Sequence, residues 1–277
     1  MVVANALTAP YVGDALGDLR CALVVRPNAA IERERPLHGE ADPIAERAAG
    51  QFDVFKRTLE FFGVRVVEVA QPEHLSSAIA IADCALVVRD GAILGRSGVL
   101  ARRGELEAVT QALRSLEIPI LGAIDSPGTV DFGDVVVAGE TAYVGITHGT
   151  NVAGRSQLRS LLTSAGLNVV EVAVDAGVRR LRSVFCVLDG DTAVVASKKV
   201  DVAALRGLKL IDVPPGEEYS GGVLLLNRRH VLADLRFAPA NRVLKSNKIT
   251  VEAIDLYEYM KIGVGPSLMV LAAARKS

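Results

Sequence analysis

Three features that would narrow a sequence quickly are missing from this one: an excess of one charge, cysteines at paired spacings, and a long apolar run. The 277 residues carry 31 basic and 32 acidic side chains, a formal net charge of -1. No overall field therefore draws the chain to nucleic acid or to an anionic membrane, and a small or locally recognised partner is expected. Cys21, Cys84 and Cys186 lie far apart in apolar runs such as Cys84-Ala85-Leu86-Val87-Val88, which leaves no disulfide framework and no paired metal spacing. They read as buried free thiols in a reducing, cytoplasmic setting. Met1 to Gly13 lacks a basic segment followed by an apolar stretch, so no leader peptide is read. No segment reaches the ~18 uninterrupted apolar residues of a membrane span. Neither metal nor cofactor is implied.

What is present is an apolar half of the composition arranged with a recurring grammar. Cys21 to Val25 reads as a strand, followed by a polar loop from Arg26 to Glu40. Asp42 before Pro43 reads as a helix start. Ile44, Ala48, Phe52, Phe55, Leu59 and Phe62 form one helical face, Gly63 ends it, and Val64 to Val69 returns as a strand. The next section adds a hairpin in front: Cys84 to Val88, an Asp90-Gly91 turn, and Ala92 to Gly95. A helix with Leu106, Val109, Leu113 and Leu116 on one face follows, then Ile118 to Leu121. The same order recurs around Val135 and Tyr143, with Leu158, Leu161 and Leu162 in the helix, Gly166 as its stop, and Val169 to Val172. It recurs from Val184 through Asp189-Gly190, a short helix near Val202 to Leu205, and Leu208 to Val213. The last copy runs from Val223 through a helix near Ala238 to Leu244 to Ile249 to Ile254. Five copies, at approximately 20–75, 80–125, 131–175, 183–215 and 221–275, cannot each bury their faces alone. Inner strands around a pseudo-symmetry axis with helices outside satisfy this. A doubly wound sheet expects single strands between helices rather than hairpins.

One stretch stands out within this pattern. Thr129-Val130-Asp131-Phe132-Gly133-Asp134-Val135 places two acids and a glycine at a strand entrance, where strands disfavour them. Either they cap turns or they face a pocket. Together with Tyr143-Val144-Gly145-Ile146, Thr150-Asn151-Val152-Ala153-Gly154 and the five units, this stretch resembles the dimethylarginine dimethylaminohydrolase group of the guanidino-modifying superfamily. The resemblance implies an α/β pentein fold, a five-bladed propeller with its active site in the central channel, formed by 1–277 as one domain. It also implies a cysteine nucleophile, a histidine general acid/base, and carboxylates that grip a planar guanidinium through its forked N–H donors.

Carried over residue by residue, the resemblance assigns substrate binding to Asp83, Asp131 and Arg96, with Ala82 where a second acid is expected. At the chemistry the chain departs from the pattern. The family's Leu-His-Leu-Lys-Ser is here Arg179-Arg180-Leu181-Arg182-Ser183, which puts Arg180 at the histidine. Its Gly-Val-Thr-Cys-Leu-Ser-Leu is Gly263-Val264-Gly265-Pro266-Ser267-Leu268-Met269, which puts Pro266 at the cysteine, or Ser267 after a one-residue slip. Gly149 and Gly222 stand where a binding arginine and asparagine are expected. Arginine stays protonated and proline offers no nucleophile, so His148 and Ser267 are the candidate recruits. Cys84 should face away from Asp83 by strand alternation. Arg102-Arg103 and Arg179, Arg180 and Arg182 read as solvated charge. Asp131-Phe132-Gly133 lacks the companion motifs of a kinase, and Gly263 to Ser267 lacks those of a phosphate loop.

The reading is a dimethylargininase-like protein without the standard hydrolysis, a pseudoenzyme that binds a guanidino or cationic amino-acid-like ligand, or a protein partner, in its channel. The alternative is an enzyme acting on guanidino or amidino compounds with a substituted apparatus. A homodimer is left open.

Overall fold

The computed structural model of the chain describes residues 6–276. Met1 to Asn5, part of the stretch read for a leader, and Ser277, the end of the expected 1–277 span, lie outside the described residues. Short apolar runs interrupted by turn residues become fifteen strands among the described residues. The strands are β1 Asp18–Val24, β2 Arg65–Glu68, β3 Ala85–Val88, β4 Gly91–Leu94, β5 Ile120–Ala123, β6 Val135–Ala138, β7 Thr141–Ile146 and β8 Asn168–Ala173. They continue as β9 Phe185–Val187, β10 Thr192–Val195, β11 Lys209–Asp212, β12 Leu224–Asn227, β13 His230–Asp234, β14 Thr250–Ile254 and β15 Leu271–Lys276.

They pair into five three-stranded sheets, and the expected grammar holds in four: β3-β4-β5, β6-β7-β8, β9-β10-β11 and β12-β13-β14. In each, a hairpin pairs the first two strands antiparallel and a crossover brings the third in parallel. The crossovers are α2 Glu105–Ser115 after β4, α3 Val152–Ser164 after β7 and α4 Ala238–Ser246 after β13. Between β10 and β11 the expected short helix is a 3-10 turn, Val202–Leu205, capped by Asp201 accepting from the Ala203 N–H. Gly207 at φ +94° follows so closely that no full α-helical turn can extend.

The first sheet differs. Its order is β15-β1-β2, so the final strand of the chain pairs antiparallel with β1 instead of extending the fifth unit. Helix α1, Ala45–Phe61, crosses between β1 and β2 and buries Ala48, Phe52, Phe55 and Leu59 of the predicted face, while Ile44 precedes the helix and is exposed and Phe62 follows it half-buried. Its start corrects the Asp42-Pro43 reading. Glu258 Oε2 accepts from the Ile44 N–H at 2.8 Å and Glu32 Oε1 from the Ala45 N–H at 2.9 Å. These distant carboxylates supply what a local cap would, and the helix opens at Ala45.

Strands β3, β6, β9, β12 and β15, one per sheet, all border a central cavity of about 370 Å³. This is the five-bladed α/β propeller that the repeats predict. Each of β3, β6, β9 and β12 is entered through a 3-10 turn: Ile81–Asp83, Phe132–Asp134, Leu181–Ser183 and Glu218–Gly221. The repeat thus delivers a tight turn to equivalent positions around the axis.

Candidate functional site at the turn-to-strand junctions

Those turns assemble the buried charge. Asp83 ends the first and accepts across blades: the Gly133 N–H, in the middle of the second turn, donates to its Oδ1 at 3.2 Å. Gly133 is needed there, because a Cβ would stand 2.4 Å from that oxygen. Asp134 repeats the device one blade further on. Its Oδ1 accepts from the Leu181 N–H at 3.1 Å, and its Oδ2 takes the hydroxyls of Thr147 at 2.5 Å and Thr150 at 2.6 Å. Asp134 therefore ties one blade to the next rather than capping its own turn.

Asp83 is also doubly engaged by cations. Arg180 grips it through Nε, at 2.9 and 2.7 Å from the two oxygens, and through Nη2 at 2.5 Å. Arg102 Nη1 donates to Asp83 Oδ2 at 2.9 Å, while its Nε and Nη2 take both oxygens of Glu105 at 3.0 and 2.9 Å. All four side chains are buried. Arg102 and Arg180, and the half-buried Arg182 on the central cavity, thus correct the reading of solvated charge, whereas Arg103 and Arg179 are exposed as expected. Burial pushes the Asp83 carboxyl up, but the charges of Arg180 and Arg102 outweigh it and hold the group below its ordinary value.

Asp131 is different. Its Oδ2 lies 3.7 Å from Arg102 Nη1, and its buried Oδ1 has no hydrogen-bond partner. Burial, reinforced by the Asp83 charge, raises its carboxyl to about 6. Asp83, Asp131, Arg96, Arg102 and Glu105 line a cavity of about 240 Å³. Arg96 is held in its wall by a 2.9 Å hydrogen bond to the Gly128 carbonyl. The three residues assigned to substrate binding thus border one cavity. Of its other charged residues, Arg102 reads in sequence as solvated charge and Glu105 is not singled out, the only local signal of the pair being their i, i+3 spacing at a helix start.

The proposed recruits do not join them. His148 is exposed. Ser267 is buried, donates its hydroxyl to the Arg182 carbonyl at 3.0 Å, and borders the central cavity instead. Pro266 is buried. Cys84 corrects the alternation argument: Asp83 lies in a turn and Cys84 follows it before β3 begins, so both border the Asp131 cavity. Burial and the Glu105 charge push the Cys84 thiol well up. Cys21 is a buried thiol, while Cys186 is half-buried because it borders the central cavity. No helix among the described residues is long and apolar enough to cross a membrane.

Five three-stranded sheets around a channel match the pentein fold of the solved structures that the chain resembles. The structure overlays on a dimethylarginine dimethylaminohydrolase mutant of Pseudomonas aeruginosa complexed with citrulline at a TM-score of 0.84, with 22% identity, covering 92% of this chain and 99% of that one. It overlays on SxtG, an amidinotransferase of Microseira wollei, at 0.83 and 17% identity, covering 97% of each chain. In sequence it is 31% identical over 242 residues to a dimethylarginine dimethylaminohydrolase of Streptomyces coelicolor, covering 87% of this chain and 92% of that protein. The Pseudomonas aeruginosa protein of that name is 25% identical over 229 residues, 83% and 89% of the two chains. No family model matches the chain. The chain belongs to the dimethylarginine dimethylaminohydrolase family.

Proposed function

We propose that this chain is a single-domain, non-hydrolytic member of its family that binds a small guanidino or cationic amino-acid-like ligand at Asp131. The observation that carries the reading is the Arg180 guanidinium seated on Asp83. A carboxylate suited to gripping a substrate guanidinium is already gripped by the protein's own, and Arg102 supplies a second. Of the acids in the cavity, Asp131 alone keeps a buried oxygen without a donor, and a ligand N–H would satisfy it. Hydrolysis by the family route needs an activated nucleophile with a base beside it. Arg180 cannot serve as that base, and the Ser267 hydroxyl is committed to a carbonyl. Loss of such a pair typically costs several orders of magnitude in rate.

A second reading, an enzyme on guanidino or amidino compounds with a substituted apparatus, is favoured by one observation: Cys84 borders the same cavity as Asp131. One experiment separates the two. Purified protein is incubated with arginine, methylated arginines and agmatine while product release and thermal stability are followed. The binding reading expects no citrulline or other product, and a rise in Tm with at least one of these ligands that Asp131→Asn abolishes. Turnover that disappears in Cys84→Ser would establish the second reading instead.

A further inference from the structure

The central cavity shares no lining residue with the one at Asp131. Apolar side chains of the inner strands, among them Ala85, Val87, Val135, Val137, Val187 and Leu271, line it. Three arginines interrupt this wall, of which Arg89 is exposed. Arg275 is buried and spends its guanidinium on backbone carbonyls, with Nη1 donating to Gly17 at 2.8 Å and Nη2 to Leu225 at 2.6 Å. Arg182 borders the same cavity, and among the described residues no hydrogen bond or ion pair holds its guanidinium. The one acid on the wall among the described residues, Glu140, is exposed.

Arg182 and Arg275 therefore meet an apolar chamber with no carboxylate ion-paired to either among the described residues. Burial depresses Arg182, and burial together with the Arg182 charge brings Arg275 down to about 10. Arg182 is half-buried and borders the chamber. A buried cation left without a partner is costly, and an anion bound beside it would remove that cost.

We propose that the central channel binds a small organic carboxylate with an unbranched hydrocarbon body, its carboxylate on Arg182 and its chain along the inner strands. The guanidinium fork matches a carboxylate, and about 370 Å³ lies within the usual range of small-ligand sites. The donors near Arg182 are already committed: Arg275 to two carbonyls, and the Ser267 hydroxyl to the Arg182 carbonyl. With Arg89 exposed to solvent, Arg182 is the one free fork withdrawn into the chamber, which suits a singly charged head, whereas a phosphate would call for more donors.

The test is calorimetric titration of the purified protein with straight-chain carboxylates from acetate to decanoate, with octylamine and inorganic phosphate as probes. Saturable binding is expected to strengthen by roughly three- to fourfold per added methylene until the chamber is filled. Octylamine and phosphate should not bind. Arg182→Met should weaken octanoate at least tenfold, and Val137→Phe, which fills the channel without altering Arg182, should abolish it. The proposal is overturned if no carboxylate of the series saturates, if octylamine binds as well as octanoate, if phosphate binds and octanoate does not, or if octanoate affinity survives either folded variant.

Discussion

Asp83, Asp131 and Asp134 are three acids at two equivalent turns with three different surroundings, and their titration separates them. Two guanidiniums hold Asp83 below its ordinary value, so its contribution to stability is present above about pH 4 and fails only in stronger acid. Burial raises Asp131 to about 6, with the Asp83 charge adding to it. Asp134 is brought to about 7 by burial, against the opposing hydrogen bonds of Thr147, Thr150 and Leu181. Both bind their protons more tightly in the folded than in the unfolded chain. Their contribution is therefore complete below about pH 4 and is lost as pH rises through 6 and 7. Denaturant titrations should find the protein less stable at pH 8 than at pH 5, by on the order of a few kcal/mol. Asp134→Asn should flatten that slope, since an amide oxygen can still accept from Leu181. A stability that rises across this window would contradict the assignment.

At the level of elements, the stretch from Thr129 to Gly154 is held by backbone approach as much as by side chains. Asn151 caps α3 by accepting from the Gly154 N–H at 2.7 Å and also accepts from the Thr129 N–H at 3.1 Å, drawing the helix start onto the turn. A Cβ on Gly154 would stand 2.0 Å from the Thr129 carbonyl oxygen, a backbone atom that cannot step aside. Gly154→Ala should therefore cost about 3 kcal/mol or more in a denaturation experiment. Gly50→Ala, in α1 with nothing within 4 Å of the new Cβ, should stabilise by up to about 1 kcal/mol.

The same local and distant division explains what could be read from the chain alone. The hairpins at Asp90-Gly91 and Asp189-Gly190 and the apolar face of α1 rest on neighbours in sequence, and they were legible. The start of α1 was not, because Glu258 caps it from the far end of the chain. Arg102 and Arg180 read as solvated charge because nothing beside them in sequence reveals that Asp83 is their partner. Asp83, Asp131 and Arg96 were placed through the family resemblance, and the structure puts all three on one cavity wall.

At the scale of the whole molecule, the ring depends on a pairing between opposite ends of the chain. β15 pairs with β1 over the register Asp18↔Lys276 to Leu23↔Leu271, and Arg275 adds its bond to Gly17 across 258 residues of sequence. Deleting residues from Leu271 onward should strip the first sheet of its inner strand, remove a wall of the central cavity, and abolish the cooperative thermal transition seen by circular dichroism. A truncated chain that melts with an unchanged midpoint would show that the closure is dispensable. This pairing also bears on how the molecule is made. The middle blades can form from contiguous stretches as they leave the ribosome, but β1 must wait for β15, which follows every other described strand. Throughout elongation it has an exposed strand edge open to the wrong partner, so any holdase or pausing that shields β1 during synthesis should govern the yield of folded protein.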